Sequence, residues 1–208
     1  MRTNLDIRVV ELLCSRLCHE LVSPVGAINN GVELIEEMGS DMADEAIGLI
    51  AHSADQASRR LQLLRLAYGA AGETSGMADV VQAAEGYFAG TKHKLEWQPG
   101  RLGQGAPMPQ GAGKVLLNLV ILGEEALAHG GRITVEPGPG GDPVVIAAGR
   151  SAGLRPETLQ ALSGSADIDS LTPRTVHAYA TGRFAEHYGM RASGEPDGPE
   201  RFVLRLNI

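Results

Sequence analysis

Apolar residues return every three or four positions along the first third of the chain. Val10, Leu13, Leu17, Leu21, Val25, Ile28, Val32 and Ile35 make one stripe, the period of an amphipathic helix. The spacing predicts a helix over residues 4–37, interrupted in composition only by Pro24, Gly26 and Gly31. The stretch MGSDMADE then breaks the pattern, with Ser40 or Asp41 as N-cap of the next helix. A second stripe, through Ala46, Ile50, Ser53 or Ala54, Ala57, Leu61, Leu64 and Tyr68, predicts a helix from about 42 to 70. Two long helices joined by a short turn form an antiparallel hairpin. Alone it leaves its apolar seam half covered. Pairing two hairpins into a four-helix bundle covers it, so the expected state is a homodimer.

The rhythm changes after AAGETSG, residues 70–76, which reads as a linker between two domains, 1–71 and 77–208. MADVVQAAEGYFAG is a short helix and HKLEWQP a short strand. QGAGKVLLNLVILGEEALAHGG, residues 110–131, is a strong helix ending at Gly-Gly. RITVEP and PVVIAAG are strands around the turn GPGGD. RPETLQALSG and LTPRTVHAYATGRFAEHYG are helical, and MRASGEP with ERFVLRLNI closes a hairpin around Asp-Gly. The fold class is therefore α+β: a helical hairpin followed by a two-layer α/β sandwich.

Composition narrows the functions. The 208 residues allow two domains with real cores, and 43% apolar with 21% charged residues is ordinary for a soluble globular protein. Aromatics are only 4%, so the core is aliphatic and Trp97 belongs in it. A net charge of −7 without a basic run argues against nucleic acid as partner. Two cysteines, Cys14 and Cys18, make no disulfide framework, which suits a reducing compartment. The first residues, MRTNLDIRVVELL, lack the pattern of a signal peptide, and no apolar run approaches the roughly 20 residues of a membrane span. A cytoplasmic location, away from membranes, is expected.

The candidate chemistry lies in LLCSRLCHELVSPVGAINN, residues 12–30. His19 is two residues from both Leu17 and Leu21, about 200° away at 100° per residue, so it points off the stripe and is not a core histidine. A metal site needs more ligands than Cys14, Cys18 and His19 provide, and His19 is rotated off the cysteines' shared face. The cysteines read instead as small apolar filler at the helix interface. A solvated surface histidine and an exposed nucleophile both remain. A neutral imidazole can attack a phosphoryl group and pass it on as a phosphoramidate. Glu20 is placed to orient the ring or hold one tautomer, and Pro24 removes a backbone donor just beyond it.

HELVSP resembles the H-box of two-component histidine kinases, where His-Glu is followed by Pro five residues after the His. His19, Glu20 and Pro24 match position by position. The hairpin resembles that family's dimerisation and phosphotransfer domain, and the second half its ATPase domain. There the nucleotide-binding residues are missing. In KVLLNLVILGEEALAHGG, which resembles the N-box, Asn118 and Leu119 match, but the Mg²⁺-holding Asn falls on Leu122. In GRSAGLRPE, which resembles the first glycine box, Gly153, Leu154 and Glu157 match. The adenine-reading Asp falls on Gly149 and a glycine on Ser151. In TVHAYATGRFAEHYG, which resembles the second, Glu186 and Gly189 match, while phosphate-cradling glycines fall on Thr175 and His177.

A phosphorylatable His on a dimeric hairpin before a degenerate ATPase domain resembles the ChpT-type histidine phosphotransferases of bacterial cell-cycle relays. The resemblance implies a phosphotransferase that shuttles a phosphoryl group between receiver-domain aspartates through phosphohistidine, without ATP. The donor would be the receiver of a hybrid histidine kinase and the acceptors response regulators. No cofactor is expected on this chain, and Mg²⁺ would sit in the receiver. His19 and Glu20 would be catalytic. Around them Leu12, Ser15, Arg16, Val22, Ser23 and Gly26 would dock the receiver, with Arg16 neutralising phosphate charge. The second helix adds His52, Arg59, Arg60 and Arg65, whose facing is not legible from spacing. Two rivals stand beside this reading: an active kinase fragment, and an interaction module or kinase inhibitor with no transfer at all.

Overall fold

The computed structural model describes residues 6–38, 42–98, 100, 102 and 108–208. The expected caps Ser40 and Asp41 lie outside the described residues. Helix α1, Ile7–Met38, runs unbroken through Pro24, and α2, Ala43–Tyr68, returns beside it. They approach closely because Gly31 has no side chain. A Cβ there would lie 2.6 Å from Ile50 Cγ1 and 3.3 Å from the Ala46 carbonyl oxygen. The linker holds a one-turn helix, α3, Ala71–Thr74.

The second half begins with α4, Met77–Phe88, and strand β1, His93–Trp97. Helix α5, Ala112–Glu125, precedes β2, Gly131–Pro137, and β3, Pro143–Ala148. Helices α6, Pro156–Leu162, and α7, Val176–His187, lead to β4, Arg191–Pro196, and β5, Arg201–Asn207. The sheet order is β1-β2-β3-β5-β4, with β1 and β2 parallel and the rest antiparallel.

Strand alternation sorts the sheet's faces. Val145, Ala147, Phe202, Leu204 and Leu206 join the main core under the helices, while Val144, Ile146 and Val203 form a small separate cluster on the other face. Helix α5 is apolar on nearly every side and is buried from Lys114 to Gly123, so it is the centre of the sandwich. Trp97 is in the core.

The two halves are fastened at the end of α2. Lys114 Nζ donates to the Gly69 and Tyr68 carbonyls at 3.1 and 3.4 Å, capping the helix C-terminus. Asn118 Nδ2 donates to Ala67 O and Lys114 O, each at 2.8 Å. Arg8 reaches Leu171 O at 3.1 Å. Against expectation, Cys14 and Cys18 are exposed in the single chain and do not fill the contact between α1 and α2. No described helix is long and apolar enough to cross a membrane.

Candidate functional site

His19 is exposed on α1. At 100° per residue, Leu12, Ser15, Arg16, Val22, Ser23 and Gly26 all fall within about 60° of it, but the structure divides them. Toward the C-terminal end the face is open. Val22 is 65% exposed, Ser23 is exposed, and Gly26 has open space off its Cα. Toward the N-terminal end the α/β half covers it. Leu12 is half-buried against the main core, and Ser15 is half-buried. The Arg16 guanidinium is paired with the Glu125 carboxylate at the end of α5, its side chain only 16% exposed. Leu12 and Arg16 therefore pack the two halves together in this structure instead of lining one continuous patch with Val22. Burial pushes the Glu125 carboxyl above the usual carboxylate range, against the pull of Arg16.

Glu20 points toward α2. Its Oε2 lies 3.1 Å from Arg60 Nη1, and the same nitrogen donates to the Glu20 carbonyl at 2.9 Å. Arg60 lies 5.7 Å over the Tyr87 ring. The Tyr87 hydroxyl donates to Glu124 Oε2 at 3.0 Å, and the other Glu124 oxygen is 3.4 Å from His93 Nδ1. Burial raises both the Glu124 carboxyl and the Tyr87 hydroxyl. Glu20, Arg60, Tyr87 and Glu124, with Arg16 and Glu125, line a cleft of about 210 Å³ between the halves, one residue along the chain from His19. Spacing along α2 did not distinguish Arg60 from Arg59 and Arg65. Glu124, Glu125 and Tyr87 were missed, although Glu-Glu closing the buried apolar run of α5 was a visible signal.

The region matching the nucleotide boxes is filled by the chain itself. His177 is fully buried. Its Nε2 is 3.1 Å from the Asn118 carbonyl, so Nε2 carries the ring proton and donates, and Nδ1 accepts from the Tyr68 hydroxyl at 2.5 Å. Burial, aided by the Arg16 charge, lowers His177 to about 3, and burial raises Tyr68 to about 12. Leu122 is fully buried. A Cβ at Gly149 would sit 2.7 Å from Gly130 O and 3.0 Å from Leu127 Cδ2. Ser151, at a glycine position of the box, keeps a left-handed φ of 55°. Before α7, the Thr172 amide is bonded by Thr175 Oγ1 at 3.0 Å.

Residues 77–200 match the family model for the histidine phosphotransferase C-terminal domain. A curated relative, the protein phosphotransferase ChpT of Brucella abortus (strain 2308), is 40% identical over 188 residues, covering 88% of this chain and 87% of that protein. A solved structure described as a bacterial phosphotransferase superposes with a TM-score of 0.81 at 34% identity, over 99% of this chain and 98% of the other. A histidine kinase from Acinetobacter baumannii gives a TM-score of 0.45 at 13% identity, over 91% and 97%.

Proposed function

Because the chain belongs to the histidine phosphotransferase family, we propose that His19 is the residue through which this phosphorelay protein passes its phosphoryl group. The observation that carries the proposal is the exposed imidazole in the His-Glu-x₃-Pro sequence, at the edge of the α1 face left open below the α/β half. The lone pair of a neutral ring nitrogen forms the N–P bond as the aspartyl O–P bond breaks, and the donor's carboxylate leaves. Glu20, next in the chain, takes up the proton of the ring's second nitrogen as positive charge develops, through the carboxylate oxygen that Arg60 does not hold. In the second half-reaction an acceptor aspartate attacks the phosphohistidine and the ring nitrogen leaves. Positioning and charge neutralisation supply most of the catalysis. The divalent cation belongs to the receiver's own acidic pocket.

The donor on this reading is the receiver domain of a hybrid kinase, and the acceptors are response regulators of a cytoplasmic, cell-cycle relay. They dock on Val22, Ser23 and Gly26, with Ser15 at the margin. Arg16 serves transfer only if the phosphoryl group draws it from Glu125. The apolar stripe through Val25, Val32, Ile47 and Leu61 is exposed in the single chain, and a second copy covers it as a four-helix bundle. ATP takes no part. The closed position at Gly149, the buried Leu122 and the buried His177 support that exclusion.

The test is transfer from a radiolabelled phosphorylated receiver to the wild type and to His19→Ala, beside an ATP-only reaction. Label on the wild type, none on His19→Ala and none from ATP alone is the expected result. Acid-labile label on His19→Ala would overturn the assignment, and label from ATP alone would restore the kinase reading.

A further inference from the structure

We propose that Arg60 is a positioning residue of the transfer centre, with one guanidinium nitrogen capping the backbone carbonyl that Pro24 leaves open and fixing the Glu20 carboxylate beside His19. The proposal rests on the reading of His19 as the phosphoryl carrier.

In an α-helix the carbonyl of residue i accepts the N–H of residue i+4. For Glu20 that donor position is Pro24, which has no N–H. The proline therefore strips the hydrogen bond from the carbonyl immediately after the phosphoacceptor. Buried and half-buried carbonyls are costly to leave unpaired. The missing donor comes from across the hairpin: Arg60 Nη1, 2.9 Å from Glu20 O. The same nitrogen is 3.1 Å from Glu20 Oε2. Both ends of Glu20, backbone and carboxylate, thus hang on one cation, with the two side chains 29% and 32% exposed. Proline and arginine form a matched pair in which one creates the vacancy the other fills.

Arg60 is itself held from the α/β half. Tyr87 of α4 supports its guanidinium at 5.7 Å, Glu124 of α5 accepts the Tyr87 hydroxyl, and His93 of β1 lies 3.4 Å from Glu124. The other arginine beside the cleft, Arg16, is committed to Glu125. Without Arg60 the Glu20 carboxylate has no fixed partner and turns freely, and it no longer stands in one place to take the ring's proton. The α/β half therefore reaches the transfer centre through Tyr87 and Arg60 without touching the phosphoryl group.

Single-turnover transfer from a saturating phosphorylated receiver, measured on the full-length protein, tests this. Arg60→Ala should slow transfer about tenfold, the size expected for one hydrogen bond to a charged group. The receiver concentration giving half-maximal rate should stay within about twofold, and guanidinium ion in solution should restore several-fold of the loss. In a Glu20→Gln background, adding Arg60→Ala should cost less than about twofold, because the residue it acts through is already gone. In a Pro24→Ala background, which returns an N–H to the Glu20 carbonyl, Arg60→Ala should melt like Pro24→Ala alone yet still transfer slowly. Arg60→Lys, which keeps the charge without the fork, covers the case in which the alanine variant does not fold, and should be folded and intermediate in rate. A wild-type rate in folded Arg60→Ala or Arg60→Lys, with label on His19, overturns the proposal. So does a rate loss that Pro24→Ala repairs together with the melting temperature, since that is a purely structural role. Label that persists in His19→Ala overturns the reading of His19 and leaves the Arg60 geometry without a reaction to serve.

Discussion

Replacing His177 with Gln should make the protein less sensitive to acid, by an amount that follows from burial. His177 is fully buried between Asn118 and Tyr68, and its folded-state value is lowered to about 3, against the usual 6.5. The folded value lies below the unfolded one, so the unfolded chain takes up the proton first. The contribution of the neutral histidine is complete above about pH 6.5, falls as pH drops through the window between about 6.5 and 3, and is level below it. The full span is worth about 5 kcal/mol at 1.36 kcal/mol per unit, and roughly half of it falls between pH 7 and about pH 4.5. Gln cannot take the proton, but retains one donor for Asn118 O and one acceptor for the Tyr68 hydroxyl. Urea unfolding followed by circular dichroism at the two pH values gives the comparison. Carboxylates shared by both proteins titrate in both and cancel in the difference. His177→Gln should start about 1–2 kcal/mol less stable at pH 7, then lose roughly 2–3 kcal/mol less than wild type on acidification. Equal losses in the two proteins would refute the reasoning, because His177 would then not be the group whose burial opposes protonation.

Two further substitutions probe the other surfaces. Gly149→Asp restores the family's adenine-reading residue but puts a Cβ 2.7 Å from Gly130 O. It should lower stability by about 2 kcal/mol or more in thermal unfolding and yield no binding of a fluorescent ATP analogue; restored binding would show that the site still opens. Leu61→Glu places a charge on the exposed stripe of α2, where Leu61 is 51% exposed in the single chain. If two hairpins pair as proposed, it should leave circular dichroism unchanged and shift sedimentation from dimer to monomer; a wild type that sediments as a monomer would refute the pairing, and a variant that stays dimeric would move the interface elsewhere.

Periodicity made most of the architecture legible. Long stripes with few breakers located both hairpin helices, since a 32-residue helix offers many turns over which the pattern repeats. The strands were legible because Gly-rich turns punctuate them. The one-turn helix inside the linker, Ala71–Thr74, was not, because four residues carry no period. The division of the His19 face was hidden for a different reason. Leu12, Arg16 and Ser23 lie within about 40° of one another on the wheel, yet Leu12 and Arg16 meet the α/β half and Ser23 meets solvent. Angle around an axis says nothing of what lies opposite at each height along it. The same limit hid Arg60: Arg59 bonds the Gly86 carbonyl at 3.2 Å, Arg60 holds Glu20, and only tertiary placement separates two adjacent arginines.

The retained α/β half now has a physical role without a nucleotide. Its helix α5 presents four polar side chains toward the hairpin and the cleft. Lys114 and Asn118 hold the end of α2, Glu124 holds Tyr87 and so Arg60, and Glu125 holds Arg16. The first two fasten the halves together, and the two carboxylates line the same cleft as Glu20. An apolar α5 end would pack the sandwich equally well but leave two arginines near His19 without fixed places. Leu122 and Asn118 of α5 and His177 of α7 are fully buried, with His177 bonded to the Asn118 carbonyl, and a close-packed core holds its helices in one arrangement. On the proposed reading that rigidity serves the site where His19 meets a receiver's aspartate in line, and positioning is the larger part of that reaction's catalysis.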